Sequence, residues 1–109
     1  MKVKEAAEAC GYRIVSGEAS LEREIESVYC CDLLSFVMGR APADSAWVTV
    51  MGNINSAAVA ALADVACVVV ADGVSPDAAM LQKAGEQDIA VLLSDEPVFV
   101  TAKKIDSIL

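Results

Sequence analysis

The chain contains no histidine. That absence removes Ser-His-Asp and Cys-His catalysis, which need an imidazole to take the nucleophile's proton, and every His-ligated metal site. Basic residues are scarce as well. Lys and Arg total 8 against 16 Asp and Glu, for a formal net charge of −8, and no basic residue lies between Arg40 and Lys83. Affinity for phosphate backbones comes mainly from cationic side chains, so this balance argues against a nucleic-acid partner. Aromatics make up only 5% of a chain that is 56% hydrophobic. Ala and Val carry much of that fraction, which predicts close packing of helices on a sheet rather than a wide cavity. No apolar run approaches the ~20 residues of a membrane helix. The Met1-Lys2-Val3-Lys4 start sets charged Glu5 and Glu8 where a signal peptide is apolar. The expectation is a cytoplasmic protein with no membrane partner.

Other chemistry is missing too. No stretch reads Gly-x-x-x-x-Gly-Lys followed by Ser or Thr, the loop that cradles nucleotide phosphates. The four cysteines, Cys10, Cys30, Cys31 and Cys67, do not form the paired Cys-x-x-Cys spacing of a zinc site. Cys67 opens an apolar strand and Cys30-Cys31 closes another, where small buried hydrophobes sit. They read as reduced core thiols, and no metal, cofactor or disulfide is expected.

What remains is a run of strand-turn-helix units in a single domain of 109 residues. The apolar strands Ala46–Met51, Cys67–Ala71 and Ile89–Leu93 run into the polar turns Gly52-Asn53-Ile54-Asn55, Asp72-Gly73-Val74-Ser75-Pro76 and Ser94-Asp95-Glu96-Pro97. Near-continuous apolar strands alternating with helices predict an α/β domain, a mostly parallel sheet with helices on both faces. Right-handed crossovers then gather the three turns on one edge.

Upstream, the spacing predicts a helix over Lys2–Cys10 stopped by Gly11, a short strand over Tyr12–Val15, and a charged connector over Leu21–Glu26 with a solvated face. A strand follows over Ser27–Cys31, then a helix with Asp32 as N-cap and Gly39 as its end. Helices are also expected over Ser56–Ala66, over Pro76–Ala84 with Ser75 as N-cap, and from Pro97 onward. Trp47 and Tyr29 are candidates either for the core or for a partner surface.

The candidate ligand-binding residues are Asn53, Asn55 and Ser56 from the first turn, Asp72, Gly73 and Ser75 from the second, and Ser94 and Asp95 from the third. Helix starts attract anions, but Asp72, Asp77, Asp95 and Glu96 crowd the same edge. A structural reading also accounts for them, with Asn55, Ser75 and Asp95 as helix N-caps and Asp72-Gly73 as a turn.

In their order, Tyr29-Cys30-Cys31-Asp32-Leu33-Leu34-Ser35, Trp47-Val48-Thr49 through Asn55 and Ala58-Val59-Ala60, Val70-Ala71-Asp72-Gly73 through Pro76-Asp77, and Ile89-Ala90-Val91-Leu92 resemble a stand-alone DRTGG-domain protein. Such domains occur beside CBS domains in regulated pyrophosphatases and are similar to the N-terminal domain of HPr kinase/phosphorylase. The resemblance implies a non-enzymatic regulatory or oligomerisation module, usually a homodimer, with a separate enzyme as a possible partner. The alternative is a small-molecule sensor, nucleotides included, binding at the strand ends. The motif that names the family is altered here. Gly52-Asn53 stands where its Asp-Arg pair is expected, and Asp72-Gly73 where its paired glycines are.

Overall fold

The computed structural model describes residues Met1–Leu109. Five strands form one sheet: β1 (Arg13–Ser16), β2 (Ser27–Cys30), β3 (Ser45–Thr49), β4 (Cys67–Val70) and β5 (Ala90–Leu93). Their spatial order is β1-β5-β4-β3-β2. β2 to β5 are parallel neighbours, and β1 joins β5 antiparallel with an irregularity between Ile14 and Ser16. The α/β class and mostly parallel sheet are as expected.

The helices are α1 (Val3–Cys10), α2 (Leu34–Arg40), α3 (Ile54–Ala63), α4 (Ala78–Glu86) and α5 (Val98–Ser107). Each parallel strand lies beside its predecessor, so right-handed crossovers put α2, α3 and α4 on the same face. They pack there over Trp47, Val68, Val70 and Val91. On the other face, α1 and α5 cover Ala46, Val48, Val69 and Leu92. Every residue of β3 and β4 is buried, which is why both strands read as apolar without alternation. Trp47 is wholly buried and its indole N–H donates to the Cys31 carbonyl at 2.8 Å. The aromatic in the β3 strand is therefore core, whereas Tyr29 on the edge strand β2 is partly exposed.

Several helix ends differ from expectation. α2 continues through Gly39 to Arg40, and the stop comes from Pro42, which forces Ala41 out of the helical region (ψ 125°). α3 begins at Ile54 and closes at Asp64 rather than Ala66, because Asp64 takes the left-handed conformation (φ 58°) and turns the chain toward β4. α4 starts two residues after Pro76. The first strand is shifted to Arg13–Ser16, and Tyr12 turns inward as a buried residue.

The charged connector is less free than a solvated face. Arg23 binds Asp44 at 2.8 Å and Asp64 at 2.9 Å, tying it to the chain ahead of β3 and behind α3. Glu22 takes Lys2 and Lys4, and their ammonium groups hold its carboxyl down to about 2. Cys67 is buried, but Cys30 is exposed and Cys10 and Cys31 are intermediate, all as free thiols. Only the central strand gives its cysteine cover on both faces. Cys30 departs from a core position because β2 ends the sheet.

Candidate functional site

The turns after β3, β4 and β5 do meet at one edge, and they are stitched to one another by backbone hydrogen bonds. Asp72 N–H donates to the Glu96 carbonyl (2.8 Å), Gly73 N–H to Ser94 (3.0 Å), and Asp77 N–H to Gly52 (2.9 Å). The contact between the first two turns is tight enough to require glycine. A Cβ on Gly52 would lie 2.9 Å from the Pro76 Cα. Asp72 and Gly73 have φ of 60° and 68°. Two successive left-handed residues are the signature of a tight turn for which Asp and Gly are suited.

The predicted site residues divide by what their side chains do. Asn53 is the N-cap of α3, its Oδ1 accepting from the N–H groups of Asn55 (2.9 Å) and Ser56 (3.2 Å). Asn55 is therefore inside the helix and exposed rather than its cap. Ser56 is buried and donates to the Met51 carbonyl at 2.6 Å. Ser75 does not cap α4 either. That position belongs to Asp77, which accepts from Met80 N–H at 2.8 Å, because the chain stays extended through Pro76 and turns only after Asp77. Ser94 is buried against Thr101 at 2.7 Å and accepts from Glu96 N–H at 3.1 Å. Asp95 caps nothing, since α5 starts on Pro97 without a side-chain cap. Its carboxylate lies beside Gly73, with Oδ1 3.8 Å from where a Cβ there would be.

The acidic edge is partly neutralised. Glu96 Oε1 accepts from Lys104 at 2.9 Å and from the Tyr12 hydroxyl at 3.2 Å. Glu96 holds the Lys104 ammonium above its usual range, and burial pushes the Tyr12 phenol up. With Glu96 and Asp77 engaged, Asp72 and Asp95 are the exposed carboxylates left on the Asp72-Gly73 turn. No group of three or more His, Cys, Asp or Glu side chains converges to hold a metal.

Two further features lie outside the predicted site residues. Asp32 is not the cap of α2, whose flanking residue is Leu33. It reaches across to β3 instead, accepting from the buried Thr49 hydroxyl (2.7 Å) and from Val50 N–H (3.0 Å). An aspartate directly after an apolar strand is the available signal. A groove of about 350 Å³ lies away from the turns, lined by Val28 and Cys30 of β2 and by Phe99, Ala102, Lys103 and Asp106 of α5. Its signal is the exposed Phe99 on an otherwise amphipathic helix.

Strand topology bears on any ligand at the turn edge. In open α/β sheets the crevice opens where strand order reverses and successive helices leave to opposite faces. From β2 to β5 the order never reverses, but α4 and α5 leave the adjacent strands β4 and β5 to opposite faces, and there the Asp72–Glu96 and Gly73–Ser94 backbone bonds draw the two turns together.

The model of the DRTGG domain family matches residues 5–108. The chain belongs to the DRTGG domain family. Its fold is similar to the solved structure of the CBS and DRTGG domains of the regulatory region of Clostridium perfringens pyrophosphatase, complexed with the activator diadenosine tetraphosphate. The TM-score is 0.76 at 11% identity, over 95% of this chain and 45% of that one. The DRTGG chain thus spans less than half the length of that regulatory region. Among curated proteins no sequence matches it. No helix is long and apolar enough to cross a membrane.

Proposed function

We propose that this DRTGG domain is a non-enzymatic regulatory or oligomerisation module that acts as a homodimer in the cytoplasm and serves a separate enzyme. The observation that carries this reading is the saturation of the turn edge. Asn53 and Asp77 cap helices, Ser56 and Ser94 bind backbone or buried hydroxyl groups, and Glu96 holds Lys104. A catalytic edge would keep such groups free to move protons on a substrate. The homodimer is tested by light scattering at micromolar concentration, where twice the chain mass of 11.4 kDa is expected. A mass of one chain overturns it.

A second reading, a nucleotide sensor at the strand ends, is favoured by the two exposed carboxylates of Asp72 and Asp95. Two effects compete there for the sign of a ligand. The uncapped start of α5 favours an anion by ~0.3–1 kcal/mol at an exposed site, and the carboxylates oppose it. The carboxylates dominate, so ATP, AMP or diadenosine tetraphosphate should bind weakly alone and more tightly when Mg²⁺ links phosphate oxygens to Asp72 or Asp95. Melting curves with each nucleotide, with and without Mg²⁺, on wild type and Asp72→Asn decide it. A ligand at one hundred times its dissociation constant adds ~2.7 kcal/mol of stability. A Mg²⁺-dependent shift reduced in Asp72→Asn supports the sensor. A strong shift without metal, or one equal in both proteins, overturns this placement of the site.

A further inference from the structure

We infer that two copies of the chain associate through the free edge of β2, strand against strand about a two-fold axis, with the groove under Phe99 buried at the seam. The inference rests on the homodimer reading and names its surface.

The two ends of the sheet are built differently. An edge strand displays unpaired backbone groups that recruit other strands unless charge, proline or a bulge blunts it. β1 is guarded in this way by Arg13, by the irregular register between Ile14 and Ser16, and by a Ser16 hydroxyl turned to the Leu81 carbonyl of α4. β2 has none of these devices. Ser27-Val28-Tyr29-Cys30 contains no charge and no proline, pairs regularly with β3, and makes no backbone hydrogen bond on its outer side.

Both flanks of that edge are apolar. On one face Val28 and Cys30 floor the groove whose wall is Phe99, 73% exposed. On the other, Tyr29 lies near Arg40, whose guanidinium stacks 4.1 Å from the centre of the Phe36 ring. Three of the five aromatics therefore border β2, and the other two, Tyr12 and Trp47, are buried. Aromatics are enriched at interface cores.

The occupant is a second copy because the groove carries charge of both signs. Lys103 and Asp106 stand three residues apart on α5 along the groove. A two-fold axis normal to the sheet sets the α5 helices of two copies antiparallel on the same face, so Lys103 of one copy can meet Asp106 of the other in both directions. A groove of a single sign would instead call for an unlike partner.

The test places one substitution on each edge. Light scattering on Cys30→Lys and on the groove variant Phe99→Glu should give the mass of one chain with an unchanged far-UV spectrum, whereas Val15→Lys on β1 should remain dimeric. Lys103→Asp and Asp106→Lys, each alone, should weaken the dimer about tenfold, and mixing the two should restore it as a heterodimer. A monomeric wild type overturns the homodimer reading itself. A dimer that survives both Cys30→Lys and Phe99→Glu, or that dissociates in Val15→Lys, overturns only the β2 surface.

Discussion

Four aspartates, Asp44, Asp64, Asp72 and Asp88, are the only residues other than glycine with positive φ. Asp tolerates this region because its short polar side chain can hydrogen-bond locally. All four stand where the chain turns into or out of a strand or helix. The cysteines differ from one another just as sharply. Burial pushes the Cys67 thiol up to about 12 from an ordinary value of 9.0. A thiol that stays protonated in the folded chain and ionises near 9 in the unfolded one contributes stability that is complete below pH 9 and is lost as pH rises from 9 toward 12. Urea midpoints should therefore fall across that range, and the Cys67→Ala protein should fall less steeply. Under native conditions at pH 8 an alkylating reagent should label the half-buried Cys10 well before Cys67. Labelling of Cys67 at an equal rate would show that the centre of the sheet opens.

Among the elements, the helix starts separate two patterns that look alike in a sequence. Removing a working N-cap costs ~1 kcal/mol, whereas an exposed polar residue beside one costs little. Asn53→Ala and Asp77→Ala should each lower stability by about 1 kcal/mol, and Ser75→Ala and Asp95→Ala by less than about 0.5 kcal/mol, read from chemical denaturation. Equal losses at all four would restore Ser75 and Asp95 as caps. The apolar runs of β3, β4 and β5 are legible because burial on both faces needs uninterrupted Val, Ala and Leu. So is the gathering of their turns, which follows from crossover handedness. The caps are not legible to the residue, since Asn53 and Asn55, or Ser75 and Asp77, are equally good acceptors and the choice depends on where the chain leaves its extended path. Asp32 illustrates the same limit. Its position after β2 suggests a cap, but the acceptor it offers is claimed by Thr49 and Val50 of the neighbouring strand. That the turn edge is packed rather than open follows from the backbone hydrogen bonds between its turns, which no local pattern records.

For the molecule as a whole, the unbroken order from β2 to β5 has a consequence for how the chain acquires its structure. Each new strand docks on the one made just before it, so most of the sheet can assemble from contacts close in sequence, the kind that form fast. β1 is the exception. It is made early but pairs with the last strand, Ile14 opposite Leu92 and Arg13 opposite Leu93. Closing so long a loop costs entropy that only the finished sheet can offset. The β1–β5 seam should therefore form after the rate-limiting step. Gly17 follows β1 with φ +79°, and a Cβ on it would lie 2.2 Å from the Ile89 carbonyl oxygen. In stopped-flow experiments the milder Ile14→Val should hasten unfolding and leave the folding rate nearly unchanged. A slowed folding rate would place the seam in the nucleus. During synthesis on the ribosome the same topology leaves Ile14 and Val15 without a partner until residues 90–93 emerge. The N-terminal strand is then the segment most open to capture by chaperones or by another nascent chain.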